Sequence, residues 1–179
     1  DLHSRPAKHK YLKKVLKYIS SNYLKISKLF SYKNKGQRPI LFAFQNSQDY
    51  PFNYAFDVKC EGPKMDALFD KLYASIPEDK ILILRPHPKF VTDFNFYLER
   101  FKFRNGSLPA NWLIDDAKLP LSSAIKSCSL MISVNSTSIQ EALCLGIPTI
   151  ALGRGIYSGN NVVTEQTLDS FNIGKLDHI

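Results

Sequence analysis

From residue 39 onward, short apolar runs alternate with segments whose apolar residues recur every three or four positions. Ile40 to Gln45 is an apolar run bounded by Pro39 and the polar turn Asn46-Ser47-Gln48-Asp49, and it predicts a strand. Met65, Leu68, Phe69, Leu72 and Ile76 then form a helical stripe that stops at Pro77. Lys80 to Arg85 carries the unbroken core Ile81-Leu82-Ile83-Leu84, the pattern of a strand covered on both faces, as in a parallel sheet. The periodicity next predicts a helix over about Thr92 to Phe101, a strand over Trp112 to Ile114 and a helix over about Leu121 to Ser127. A strand over Leu130 to Val134 leads into the hydroxyl-rich turn Asn135-Ser136-Thr137-Ser138, a helix over Ile139 to Leu145, and a last apolar run over Pro148 to Leu152.

Strand and helix alternate about five times, which argues for an α/β fold: a Rossmann-like, mostly parallel sheet with right-handed crossovers and helices on both faces. Ligands of such sheets bind beyond the C-terminal ends of the strands. The residues just after each strand are therefore the ones to watch: Gln45 to Asp49, His87 to Lys89, Asp115-Asp116, Asn135 to Ser138 and Gly153 to Tyr157, five loops expected to share one edge. Gly153-Arg154-Gly155 follows a strand but lacks the rest of a dinucleotide fingerprint or a Walker loop.

Charge separates the first 38 residues from the rest. They hold eleven Lys or Arg against the single acid Asp1, whereas residues 39–179 hold thirteen basic residues against fifteen acids, so the net charge of +8 divides into +10 on the N-terminal arm and −2 on the rest. Within the arm, Leu12, Val15, Leu16, Ile19, Tyr23, Ile26 and Phe30 follow helical spacing while most of the lysines fall on other faces. This basic amphipathic helix either lies on an anionic membrane surface or packs its apolar stripe on protein and leaves its lysines in solvent. Ser31 to Arg38 reads as a linker, and the domain boundary is placed between the arm, 1–38, and the α/β domain, 39–179. A nucleic-acid-binding domain spreads positive charge over a folded face with interleaved aromatics, a pattern residues 39–179 lack, so no nucleic-acid partner is expected.

Composition adds limits. At 44% hydrophobic and 22% charged residues the chain belongs with folded soluble proteins, and no apolar run approaches the roughly 18 residues of a membrane span. With no signal-peptide pattern at its start, the chain is expected in the cytoplasm, with the arm available to the inner face of an anionic membrane. Cys60, Cys128 and Cys144 are widely spaced beside apolar segments and read as buried free thiols, and neither a metal nor a cofactor is expected.

Candidate chemistry sits in the strand-end loops. His87, between Pro86 and Pro88, follows a buried strand on a stiff exit and either donates to a phosphate oxygen or is hydrogen-bonded within its own loop. Arg85 and Lys89 flank it and add charge for a phosphate, unless they are ordinary surface residues. Ser136, Thr137 and Ser138 open a helix, where outward N–H groups and the positive dipole end stabilise an anion, or where a hydroxyl simply caps the helix. Glu141 either completes a capping box with Ser138 or faces a ribose with its carboxylate. Asp49, Asp115 and Asp116 are loop carboxylates at the same edge, each more in keeping with turn chemistry than with catalysis.

The blocks ILFAFQNSQD, ILILRPHPK and MISVNSTSIQEALCLGIPTIALGRGIY, in that order and covering most of residues 39–158, resemble the capsule polysaccharide synthesis family, whose members include bacterial β-Kdo (3-deoxy-manno-octulosonic acid) transferases. The resemblance implies the C-terminal, nucleotide-sugar-binding half of a GT-B glycosyltransferase, with CMP-Kdo as donor substrate and a glycolipid or surface polysaccharide as acceptor. On that basis His87 contacts the donor phosphate, Ser136 and Thr137 hold it, and Glu141 faces the ribose or cytidine. The implied binding set is Gln45, Arg85, His87, Pro88, Lys89, Asn135, Ser136, Thr137, Ser138, Glu141, Gly153 and Tyr157, with His87 and Asp49 the candidates for catalysis. Ile139 stands where the family often has glycine. A GT-B enzyme works across two Rossmann-like domains, so the chain is expected to be part of a larger transferase whose acceptor-binding N-terminal domain is missing. The alternative is a non-catalytic nucleotide-sugar-binding or membrane-docked assembly module of polysaccharide export.

Overall fold

The computed structural model of the chain describes residues 37–47, 52, 56 and 63–176. The chain divides into two units, Asp1–Arg38 and Pro39–Ile179. The amphipathic helix expected in the arm, and Asp49 and Cys60, lie outside the described residues.

In the second unit, six strands form one sheet: β1 (Ile40–Ala43), β2 (Leu82–Arg85), β3 (Trp112–Ile114), β4 (Leu130–Ser133), β5 (Thr149–Ala151) and β6 (Thr164–Glu165). Among the described residues four helices connect them: α1 (Lys64–Ser75), α2 (Val91–Asn105), α3 (Leu121–Ser127) and α4 (Ser138–Cys144), and a 3-10 turn follows at Ile173–Leu176. The sheet order is β3-β2-β1-β4-β5-β6 and every strand pair is parallel. The expected Rossmann-like α/β fold is the fold found.

The order follows from which face each apolar side chain occupies. In β1, Ile40 and Phe42 join a cluster with α1 and α2 through Leu68, Phe69, Leu98 and Phe101, while Leu41 and Ala43 join a second cluster with Ile125, Met131 and Ala142 near α3 and α4. Alternate residues of a strand point to opposite faces, so a strand buried at all four positions needs helices on both sides, and β1 and β4 both have that pattern. Because β1 lies between β2 and β4, the chain turns back past β1 after β3, and the crossover helices change face at that point. The gap between the C-terminal ends of β1 and β4 is thus the topological switch point, where sheets of this kind leave a crevice for ligands.

Local signals set the helix limits. Helix α1 ends where Ile76 turns extended ahead of Pro77. Helix α2 runs four residues past the expected Phe101, because no residue of Lys102-Phe103-Arg104-Asn105 breaks a helix; it stops at Gly106, whose φ of 79° favours glycine. Cys128 is buried as expected, but Cys144 is exposed, a correction explained by its place on the outward side of a short surface helix.

Helices α1 and α2 are tied by ions as well as by rings. The Asp66 carboxylate accepts hydrogen bonds from Arg100 Nε and Nη2 at 3.1 and 2.7 Å and pairs with Arg104 Nη1 at 2.9 Å, while Arg104 Nη2 also reaches Asp70 at 2.7 Å. Burial on its own pushes the Asp66 carboxyl up, but the bonds and charges of Arg100 and Arg104 outweigh it and hold the group below its ordinary 3.8. A depressed folded-state value means that Asp66 stabilises the fold above the ordinary carboxyl range and loses that contribution as pH falls through the folded value. The stability gap between the native chain and Asp66→Asn, measured by urea unfolding, is therefore expected to be largest near pH 7 and to shrink at pH 3; a gap independent of pH would show that the carboxylate charge contributes nothing.

Candidate functional site

The parallel arrangement puts the C-terminal ends of all six strands on one edge, where a cleft of about 520 Å³ opens beside the switch point. Ala43 and Phe44 at the end of β1 form part of its lining. One wall is Arg85 to Pro88 after β2, a second is the loop Ala117 to Leu121 after β3, and the third is Ser136, Thr137, Ser138 and Glu141 around the start of α4. Seven of the residues singled out in the sequence are thus brought together: Arg85, His87, Pro88, Ser136, Thr137, Ser138 and Glu141.

Each has a defined local setting. His87 is half-buried, and its Nδ1 accepts a hydrogen bond from the Lys89 backbone N–H at 3.2 Å while its ring lies against Phe90. An Nδ1 acting as acceptor places the proton of the neutral imidazole on Nε2, so the ring is fixed within its loop and still offers a donor. The reading of His87 as hydrogen-bonded within its own loop thus holds. At the start of α4, Ser136 Oγ accepts from the Ser138 N–H at 3.2 Å, and Thr137 makes no side-chain cap. Since the Ser138 N–H is used in this way, Glu141 does not close a capping box; its exposed side chain borders the cleft instead. Ser138 is 3% exposed, and among the described residues its hydroxyl is a buried side-chain group with no hydrogen-bond partner. Such groups are rare in folded proteins, and this one lines the cleft.

Arg85 lines the cleft but its guanidinium is committed elsewhere. At 5% exposure it donates Nη1 to Asp115 Oδ2 and Nη2 to the Leu119 carbonyl, both at 2.5 Å, and so pins the loop after β3. Asp115 completes the turn by accepting from Ala117 N–H at 2.9 Å, with Ala117 at a φ of 56°, and Asp116 pairs with Lys118. Both aspartates thus perform the turn chemistry weighed for them.

The other expected site residues do not line the cleft. Gln45 and Asn135 face each other across the switch point: Gln45 Nε2 donates to Asn135 Oδ1 at 2.6 Å, and the Asn135 N–H donates to Gln45 Oε1 at 2.7 Å. Together with the buried Ser133 hydroxyl, which donates to the Ala43 carbonyl at 2.9 Å, they latch the ends of β1 and β4. Lys89 is exposed outside the wall. Tyr157 is buried with Ile139, Ala151 and Val163, its hydroxyl 3.4 Å from the carbonyls of Val134 and Gly153. Burial, aided by the Glu165 charge, pushes its phenol well above the ordinary 10.0, so it stays neutral. The ring leaves no room for a Cβ on Gly155, with atoms at 2.6 to 2.8 Å from where one would stand. Gly153 and Tyr157 thus shape the loop after β5 from below. Sequence reasoning missed Lys118 and the rest of the second wall, because that loop carries no motif and is pinned by the buried Arg85.

Sheet order, the latched switch point and a cleft at the strand ends together define a Rossmann-like α/β domain. Residues 3–177 match the family described as capsule polysaccharide biosynthesis protein, and the chain belongs to that family. Among solved structures it is similar to KpsC, the beta Kdo 2,4 transferase of Thermosulfurimonas dismutans, at a TM-score of 0.57 and 15% identity over 76% of this chain and 40% of that one. It is likewise similar to the beta Kdo 2,7 transferase KpsC of the same organism, at a TM-score of 0.53 and 17% identity over 76% and 40%. At such identities the likeness is one of fold, and the chain spans about 40% of the length of these transferases. No curated protein matches the chain in sequence. Among the described residues no helix is long and apolar enough to cross a membrane.

Proposed function

We propose that the chain is the donor-binding part of a glycosyltransferase that passes an acidic sugar, Kdo from CMP-Kdo, to a surface polysaccharide or glycolipid acceptor. The observation that carries this reading is the convergence of His87, Ser136, Ser138 and Glu141 on one cleft at the strand ends. In it, His87 Nε2–H donates to the phosphate that becomes the leaving CMP, and the hydroxyls of Ser136 and Ser138 supply further polar contacts. Donors fixed before reaction lower the cost of the charge that grows on a leaving group. Glu141, on the outer side of the cleft, takes the ribose hydroxyls. The acceptor comes from a second domain facing this edge, which belongs to the same reading. Family membership and the likeness to two Kdo transferases support the donor class.

His87→Ala tests the phosphate contact. Loss of a hydrogen bond to a charged group costs about 1.5–3 kcal/mol, so CMP affinity should fall roughly 10- to 100-fold, with the thermal midpoint nearly unchanged because the ring is only half-buried. An unaltered affinity would remove His87 from the site. A folded chain that binds no nucleotide at all would favour a non-catalytic assembly module instead.

A further inference from the structure

Resting on the donor-binding reading, we infer that Lys118 is the cation of the cleft that pairs with an anionic oxygen of the donor, and that Arg85 acts as the positioning residue that holds Lys118 there. Among the described residues, Arg85 and Lys118 are the two Lys or Arg residues that line the cleft. The Arg85 guanidinium is buried against Asp115 and the Leu119 carbonyl, with 6% of its side chain exposed, and its charge is matched by that carboxylate. Glu141 adds a negative charge to the opposite wall. Among the described residues, an incoming anion thus meets Lys118 as the cation in reach, on a side chain that is 55% exposed.

The geometry around Lys118 is built for presentation. Arg85 fixes both ends of the Asp115–Leu119 turn, Asp115 Oδ1 ties down Ala117, and Asp116 Oδ1 accepts from the Lys118 N–H at 3.2 Å. The ammonium itself rests on Asp116 Oδ2 at 2.9 Å, with that carboxylate 46% exposed. Exposed ion pairs of this type are weak, so a donor phosphate or sugar carboxylate, which brings more charge and further contacts, can compete with Asp116 for the ammonium. The shared chemistry is an anionic oxygen group, and the choice between phosphate and carboxylate is open to experiment.

The test is calorimetric titration of the intact chain and of Lys118→Gln with CMP and with CMP-N-acetylneuraminate, an acidic CMP-sugar. Lys118→Gln should weaken binding about three- to tenfold at low salt, with the difference shrinking as salt rises. Weaker binding of both titrants assigns the contact to the phosphate, and weaker binding of the CMP-sugar alone assigns it to the carboxylate. Asp116→Asn, which removes the competing carboxylate, should tighten binding, and that gain should vanish in the Asp116→Asn/Lys118→Gln double variant. Equal affinities for native and Lys118→Gln, in a chain that binds CMP, would overturn the inference and leave the donor reading intact. Failure of the native chain to bind either titrant would overturn both.

Discussion

Phe69→Ala is expected to destabilise the domain by about 3–5 kcal/mol, the range found for large aromatic truncations in cores. Phe69 is fully buried on α1 and its ring lies 5.1 Å from that of Phe44, 6.1 Å from Phe94, 5.8 Å from Phe101 and 6.5 Å from Trp112. It therefore joins α1 to the end of β1, to α2 and to β3. Phe44 also lines the cleft, so a hole behind it loosens the site from below. Urea unfolding should show the lost stability with little change in slope. A loss under about 1 kcal/mol would mean that the surrounding rings collapse into the space, contrary to a core packed as a unit.

The second large effect is expected at Arg85. Arg85→Met leaves the Asp115 carboxylate, with 19% of its side chain exposed, facing an apolar residue in place of its partner. Breaking a buried pair in this way costs about 3–5 kcal/mol, with the lower end fitting the partial exposure of Asp115. Arg85→Met/Asp115→Asn removes the stranded charge while keeping the carbonyl oxygen that ties down Ala117, so it should recover more than half of the loss in urea unfolding. It should not recover CMP affinity, because the Leu119 carbonyl still lacks its donor and the second wall is unpinned. Recovery of both stability and affinity in the double variant would show that the loop holds its place without Arg85.

Much of the fold was legible from local pattern. The unbroken run of β2 signalled burial on both faces, and the strand-end loops followed from the parallel sheet it implies. Strand β6 was not legible, since it is two residues long, Thr164–Glu165, with no apolar run to mark it. It exists because Ile150 and Ala151 offer an edge for pairing. The site was half legible for a related reason. Residue type marked His87 and the Ser136 turn, whose chemistry is local, but could not say whether a cation meets a ligand or a neighbouring side chain. Arg85 looked like a fork for phosphate and instead meets Asp115, thirty residues on. Gln45 and Asn135 looked like ligand contacts and instead meet each other across 90 residues. Lys118 showed nothing in sequence because its role depends on those tertiary bonds.

The donor assignment is tested most directly by calorimetric titration of the chain with CMP, UDP and GDP side by side. CMP is expected to bind and UDP and GDP to bind at least tenfold more weakly, a discrimination of about 1.4 kcal/mol or more. Tight binding of UDP without binding of CMP would contradict the assignment of the cleft to a CMP-activated sugar.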